Sequence, residues 1–389
     1  MASILIAGGG TGGHVFPGLA VARALGKLAD VEIVFAGTPR GLEARVIPEA
    51  GYALELLDVE PMKGGGAERA IKGALVAAKA TQRAREIIRR LKPAAVLSVG
   101  GYAAGPAALA GVSQRVPLAV LEPNSTLGLA NRILAPFAKR AYLAWPETAR
   151  HFRGDKARLF GVPLRPGFSP VPYVPASGPK RVLVLGGSQG ALALNEVLPK
   201  ALRRVRESRP GVPAVAFTVL HQAGRDRDAA VREAYAGLAG VEVVPFLEDI
   251  ADRISAADLV IGRSGAGAVA EISAIGRAGI FVPFPHAADD HQAKNALSLE
   301  SVGGGICIRQ DAADETRLAT EIIALLEDDE RRKRMADAAK SHGRPHAAED
   351  IAKDLLALAG IGLKKPPTPS PTNGASNGSS RFKVKEISS

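Results

Sequence analysis

The chain is poor in the residues that staple or decorate small folds. Of its 389 residues one is cysteine, Cys307, one is tryptophan, three are methionine, and aromatic side chains make up 4%. A single cysteine excludes an intramolecular disulfide and fits a reducing cytoplasm. So few aromatics, without any nucleic-acid-binding motif, argue against DNA or RNA as a partner. The N-terminus runs Met1-Ala-Ser-Ile-Leu-Ile-Ala7 straight into glycines, without the basic and apolar regions of a secretory signal, so none is expected. The longest uncharged stretch, between Lys92 and Arg115, is nominally long enough for a bilayer, but Gly100, Gly101, Gly105, Pro106 and Gly111 interrupt it. It reads as strand, glycine turn and short helix.

What is present is globular: 47% hydrophobic and 23% charged residues, with 43 Gly and 27 Pro that follow no short period. The length suits two domains of roughly 150 to 180 residues. Charge is unevenly placed. Residues up to Arg165 hold 22 Lys+Arg against 12 Asp+Glu, a net of +10, whereas the remainder holds 28 against 27, a net of +1. The basic excess of the first half is a statement about partners rather than about fold.

In the first half Ser3–Ala7, Val31–Ala36, Ala53–Leu57, Ala95–Val99 and Leu118–Leu121 read as buried parallel strands, with helices at Pro17–Leu28 and Glu68–Leu91. Such alternation predicts a doubly wound α/β domain over residues 1–165. The stretch Pro163–Pro179 is too rich in proline for a long helix or a central strand and reads as a linker. Alternation then restarts, with strands near Arg181–Leu185, Val215–Leu220, Val241–Pro245, Leu259–Ile261 and Ile280–Val282, which predicts a second unit over 166–363. The restart echoes the opening: Ile4-Leu-Ile-Ala-Gly-Gly-Gly-Thr-Gly-Gly-His14 and Val182-Leu-Val-Leu-Gly-Gly-Ser-Gln-Gly-Ala191 are each a strand, a glycine turn with a hydroxyl residue, and a helix. Two such halves leave a cleft between the carboxyl ends of their sheets, where open α/β sheets bind ligands. From Lys364 to the end the composition predicts a disordered tail.

Several segments can carry chemistry. Gly8, Gly10 and Gly13 match the spacing of a dinucleotide loop, but Val34-Phe35-Ala36-Gly37 offers no acid at the end of the second strand to hold a ribose. The glycines license only close approach of an oxygen-rich group to backbone N–H groups at a helix start. His14 follows them, either as a general base with its ordinary pKa near neutrality or as a loop residue that caps the helix. Ser188 in the second loop is either a phosphate contact or part of a tight turn. The segment Asp258–Glu271 is the most informative. A strand feeds Ser264-Gly-Ala266, and Gly267 and Glu271 then lie four apart on one helical face. A diphosphate against the N–H groups of Ser264, Gly265 and Ala266 would gain about 0.3 to 1 kcal/mol from the helix dipole, with Glu271 accepting from a ribose diol.

A metal site is not expected. His286, Asp289, Asp290 and His291 lack a standard zinc spacing, and Asp226-Arg-Asp228 lies in a very polar stretch. Gln292 and Asn295 suit reading of sugar hydroxyls. Arg69 to Lys92 carries eight basic residues against one acid, Glu86, with apolar residues interleaved. It is either an amphipathic helix for an anionic membrane surface or a solvated helix packed on its own domain.

Together these segments resemble the MurG family of peptidoglycan N-acetylglucosaminyltransferases, inverting enzymes of the two-Rossmann GT-B fold. The match runs in order through Gly9–Gly18, Gly100-Gly-Tyr102, Asn124, Asn131-Arg132, Gly186–Ala191, Arg263-Ser-Gly265, Glu271, Gln292 and Asn295. The resemblance implies transfer of N-acetylglucosamine from UDP-N-acetylglucosamine to the C4 hydroxyl of undecaprenyl-diphospho-N-acetylmuramoyl-pentapeptide, at the cytoplasmic face of the membrane and without a metal or other cofactor. It makes the first unit the acceptor and membrane side, and the second the UDP-sugar side. It implies donor contacts from Thr11, Gly12, Gly13, Asn124, Arg165, Ser188, the Leu247 backbone, Glu271 and Gln292, with His14 and Glu122 as catalytic candidates. Two departures stand out: Leu121-Glu-Pro-Asn124 where the family reads His-Glu-Gln-Asn, and Gly161-Val-Pro163 where it reads Gly-Asn-Pro. Other readings of the same residues are a different lipid-directed UDP-sugar transferase, a UDP-sugar epimerase, a nicotinamide dehydrogenase and a non-catalytic membrane-associated module.

Overall fold

The computed structural model describes residues 1–59, 67–187, 190–207 and 216–364, and for 67–78 the backbone. The first half forms a sheet of β1 (Ser3–Gly8), β2 (Glu32–Gly37), β3 (Ala53–Leu56), β4 (Ala95–Gly100), β5 (Leu118–Glu122), β6 (Arg140–Leu143) and β7 (Ala157–Leu159), in the order 3-2-1-4-5-6-7. The second half forms a sheet of β8 (Lys180–Leu185), β9 (Phe217–Gln222), β10 (Val241–Val244), β11 (Leu259–Gly262), β12 (Gly279–Phe281) and β13 (Gly305–Cys307), ordered 10-9-8-11-12-13. Neighbours pair in parallel throughout both sheets. The fold is thus the expected pair of doubly wound domains. In each, strand order reverses beside the opening strand, at β1/β4 and at β8/β11, so a crevice opens at their carboxyl ends.

Why the strands sit centrally is plain from β1, whose six residues are all buried. Successive side chains point to opposite faces. Ile4 and Ile6 therefore pack with Leu19 and Leu25 on one face, while Leu5 and Ala7 pack with Ala84, Ile87 and Ile88 on the other. Val182 and Val184 divide in the same way from Leu183 and Leu185 in the second half.

The opening helix begins at Gly12, five residues before the expected start, and carries Pro17 inside it. The Thr11 carbonyl starts it by accepting from His14 and Val15 N–H, both at 3.1 Å. His14 is therefore a helical residue of the first turn. The uncharged run 93–114 folds as β4, a glycine turn and the helix Ala104–Ser113. No helix among the described residues is long and apolar enough to cross a membrane.

The proline-rich linker has neither helix nor strand, yet it is tied down along the second half. Buried Asp258 accepts from Tyr173 Oη at 3.0 Å, Ala176 N at 3.1 Å and Arg181 N at 2.8 Å. Arg277 donates to the Val171 carbonyl at 2.9 Å. At the other end, the helix Ala347–Leu358, inside the stretch assigned by sequence to the second unit, leaves that unit. Ile351, Ala352, Leu355 and Leu356 enter the core built on β1, and Asp354 accepts from Tyr142 Oη of β6 at 2.8 Å. The chain therefore crosses between halves twice. The crossings touch at Gly161, where a Cβ would overlap Arg344. Of the segment expected as a tail, 364–389, Lys364 is held by its N–H to the Leu28 carbonyl at 2.7 Å, and residues 365–389 lie outside the described residues.

Candidate active site

The first glycine turn is built backbone against backbone. Gly9 N donates to Gly100 O at 3.2 Å, and a Cβ on Gly8 or Gly101 would overlap the facing loop. Gly100, at φ +86°, also lies under the His14 ring: a Cβ there would come within 3.0 Å of His14 Cδ2. The absent side chain at 100 thus makes room for the imidazole, and that at 101 for the Gly9 backbone. Thr11 Oγ1 stands 3.3 Å from His14 Nδ1. Burial holds the His14 pKa below its ordinary value; the nearby Glu122 and Glu43 charges and a hydrogen bond with the Gly9 backbone oppose this, and His291 adds to it. The outcome is an imidazole that is neutral near neutral pH, as a general base must be.

Glu122 ends β5 at 2% exposure. Its Oε1 accepts from Asn124 N and Nδ2, both at 3.1 Å, and its Oε2 from Gly128 N at 2.8 Å and Asn131 Nδ2 at 3.2 Å. The carboxylate is fully engaged in shaping the loop that presents Asn124. Asn131 in turn accepts from Ser98 Oγ at 2.8 Å, which ties this loop to β4.

Across the cleft, β11 delivers Ser264 and Gly265, and the helix Ala266–Ile275 starts behind them. The first N–H groups of a helix have no acceptor within it. Ser264 is fully buried and its Oγ has no partner among the described residues. Cβ atoms at Gly265 and Gly267 would meet open space. Glu271 lies one turn on, its pKa pushed up to about 7 by burial and eased down by the Arg165 charge. Arg165 is exposed, with its guanidinium 5.5 Å from the centroid of the Phe168 ring. Leu247 packs its side chain in the core beside Val269. Gln292 Oε1 accepts from Phe284 N at 3.0 Å, which leaves its amide N–H groups for a ligand. Ser188 lies outside the described residues.

The two sides meet. Ser125 N donates to Asn295 Oδ1 at 3.1 Å, and Asn295 Nδ2 donates to Ser264 O at 3.2 Å. Asn295, fully buried, joins the halves through both ends of its amide, a structural role where the sequence reading expected a sugar contact. Lys294 Nζ donates to Thr126 Oγ1 at 3.2 Å, and Arg132 pairs with Asp289 at 3.5 Å.

The metal candidates are likewise occupied. Asp290 pairs with Arg309 at 2.7 Å and His291 Nδ1 lies 2.7 Å from Ala288 O; among the described residues no three acids, histidines or cysteines gather to hold an ion. Asp228 pairs with Arg232 at 2.7 Å. Both family departures turn inward: Leu121 packs in the first core and Val162 is 4% exposed. On the helix Ala67–Leu91, Ala84, Ile87 and Ile88 face the core while Lys79, Arg83, Arg85, Arg89 and Arg90 are exposed. Residues 69–78 carry no described side chains.

Sequence reasoning missed Glu43, from the helix Glu43–Glu49 after β2. It is 1% exposed and accepts from Gly10 N at 2.7 Å and from Thr38 N and Oγ1, both at 2.8 Å. The glycines at 37 and 41 that frame it were the available sign.

Residues 4–143 match the glycosyltransferase family 28 N-terminal domain and residues 181–351 its C-terminal domain. Among curated proteins, the UDP-N-acetylglucosamine--N-acetylmuramyl-(pentapeptide) pyrophosphoryl-undecaprenol N-acetylglucosamine transferase of Sorangium cellulosum is 52% identical over 92% of this chain and 89% of that protein. Its counterpart in Acidithiobacillus ferrooxidans is 40% identical over 92% of the chain and 98% of that protein. Among solved structures, MurG of Acinetobacter baumannii superposes with a TM-score of 0.77 at 32% identity, over 92% of this chain and 99% of that one. A UDP-GlcNAc 2-epimerase from Neisseria meningitidis, at 12% identity and a TM-score of 0.65 over 92% of this chain and 100% of that one, shares the fold alone. The chain belongs to glycosyltransferase family 28, among the MurG enzymes.

Proposed function

We infer that this enzyme transfers N-acetylglucosamine from its UDP donor to undecaprenyl-diphospho-N-acetylmuramoyl-pentapeptide, completing the lipid-linked peptidoglycan precursor. The carrying observation is 52% identity, along nearly the whole chain, to a transferase named for that reaction. The cleft supports it in detail. The second half is the donor side: the Ser264–Ala266 turn and the Ser264 hydroxyl, which has no partner among the described residues, hold the diphosphate, and Glu271 holds the ribose, with Gln292 on the sugar. Thr11, Gly12, Gly13, Asn124, Arg165, Ser188 and the Leu247 backbone complete the donor contacts.

His14 is the catalytic base. It takes the proton of the acceptor C4 hydroxyl as that oxygen forms its bond to the anomeric carbon, on the face opposite the diphosphate. The bond from that carbon to the phosphate oxygen breaks, and UDP leaves with the electron pair. Attack from the opposite face inverts the anomeric centre. Negative charge growing on the diphosphate meets fixed N–H dipoles, the type of stabilisation that contributes most in such sites. Glu122 serves as a positioning residue, through Asn124 and its charge beside His14.

The first half, residues 1–165 with the returning helix Ala347–Leu358, takes the acceptor, and the second half supplies the donor site. The excess of +10 up to Arg165 suits a diphosphate-bearing lipid and an anionic membrane, approached through the basic helix Arg69–Lys92. The enzyme then works as a peripheral protein on the cytoplasmic face. Purified protein given UDP-N-acetylglucosamine should release UDP only when the muramoyl-pentapeptide lipid is present. Turnover on another acceptor with none on this one, or epimerisation of the donor alone, would overturn the assignment.

A further inference from the structure

Glu43 is a buried acid that no ligand contact or core requirement explains. It sits behind the first glycine turn, not in the cleft, and the fold is cut around it. A Cβ at Gly9, Gly37 or Gly41 would overlap its side chain. One oxygen takes Gly10 N–H, while the other takes both N–H and hydroxyl of Thr38. Burying a carboxylate is costly unless it is hydrogen-bonded. Burial does push this one up, but the bonds from Gly10 and Thr38 outweigh it and hold the carboxyl below its ordinary range. It is therefore ionised near neutral pH.

We propose that Glu43 is a positioning residue for the transfer reaction: it fixes Gly10, and so the helix start that carries Thr11 and His14, and with Glu122 it flanks His14 by negative charge. The inference rests on His14 acting as the base. The turn around Gly10 is a connector with glycines at 8, 9 and 10, each at positive φ, so its shape must be imposed from outside. Glu43 imposes it from the β2 side, and the Gly100 loop imposes it from the β4 side. The charged and titratable groups acting on His14 are Glu122 at the end of β5, Glu43 and, from the second half, His291. Removing one carboxylate charge makes the imidazole less basic, and the imidazolium formed during transfer loses part of its electrostatic support.

The test uses the full chain with UDP-N-acetylglucosamine and the muramoyl-pentapeptide lipid. Glu43→Gln keeps the volume and removes the charge. It should lower kcat about 10- to 100-fold, the scale of a displaced general base, while the donor KM rises by far less, because only the Thr11–Gly13 side of the donor site is disturbed and the donor contacts in the second half are untouched. The acid limb of log(kcat/KM) against pH should move to lower pH. Gly41→Ala displaces the carboxylate without removing its charge, so kcat should fall while the limb stays in place. An unmoved limb in Glu43→Gln, or equal losses of donor binding and kcat, would mean a merely structural acid and sink the proposal. If Glu43→Gln fails to fold, Thr38→Val, which deletes one of the three bonds, must still lower kcat about 2- to 5-fold at an unchanged limb; parent-like kcat refutes the idea. Absence of turnover in the parent enzyme would instead refute the assigned reaction.

Discussion

The two turns that face each other across the cleft look alike in sequence and are built in opposite ways. In the first, Gly8 to His14, the backbone before the helix is spent internally: Gly9 N–H goes to Gly100 and Gly10 N–H to Glu43. What the turn has left to offer is the side chains of Thr11 and His14 and, at the helix start, the Gly12 and Gly13 N–H groups. In the second, Gly262 to Glu271, the Ser264 hydroxyl has no partner among the described residues. It offers backbone and a hydroxyl to an anion. A glycine-rich loop is thus not one device. Whether a buried carboxylate lies behind it decides whether it presents chemistry or binds charge.

The largest effect should come from the chemical side. His14→Ala should lower kcat about 10²- to 10⁴-fold, the usual loss on deleting a general base, while calorimetry finds the UDP affinity unchanged. Equal loss of UDP binding would erase the contrast between the turns. Next comes the binding side. Glu271→Gln should raise the donor KM about 10- to 100-fold, the scale of charge-assisted hydrogen bonds, with kcat at saturating donor close to the parent.

The same residue carries a pH signature. With its pKa pushed up to about 7, Glu271 is largely neutral at pH 6 and ionised at pH 8. A ribose diol donates to the ionised form, so the bound donor favours loss of that proton. Affinity for UDP-N-acetylglucosamine should therefore tighten as pH rises through about 7, and Glu271→Gln should flatten the dependence. A parent enzyme with pH-independent donor affinity over that window would remove Glu271 from the site.

Much of this was legible because it is local. Strand–glycine–helix units announce themselves within about ten residues, and the Gly267–Glu271 spacing places both on one face before any fold is known. What was not legible depends on chain segments far apart. Glu43 meets Gly10 across 33 residues and Asn295 meets Ser125 across 170; no period encodes either. Asn295 read as a sugar contact because a buried amide and an exposed one look identical in sequence. The strands β6, β7 and β13 escaped notice because three or four residues carry no periodicity, and Arg140 and Arg158 mask the first two. Ala347–Leu358 is plainly an amphipathic helix, but nothing local says which half its apolar face joins.

The contacts that span the cleft allow a final, smaller test of how the turns are held in register. Asn295→Ala leaves the Ser125 N–H and the Ser264 carbonyl without their partner, at about 1 to 3 kcal/mol for each buried group, so the melting temperature should drop and kcat/KM fall about tenfold. Asp289→Asn removes a bridge to Arg132 whose side chains are 52% and 59% exposed at 3.5 Å. Exposed pairs contribute about 0 to 1 kcal/mol and are screened by salt. Turnover should therefore stay within about twofold of the parent, and the small difference should vanish when ionic strength rises to about 0.5 M. A larger, salt-resistant loss would mean that the rim pair, rather than buried Asn295, sets the approach of the two halves.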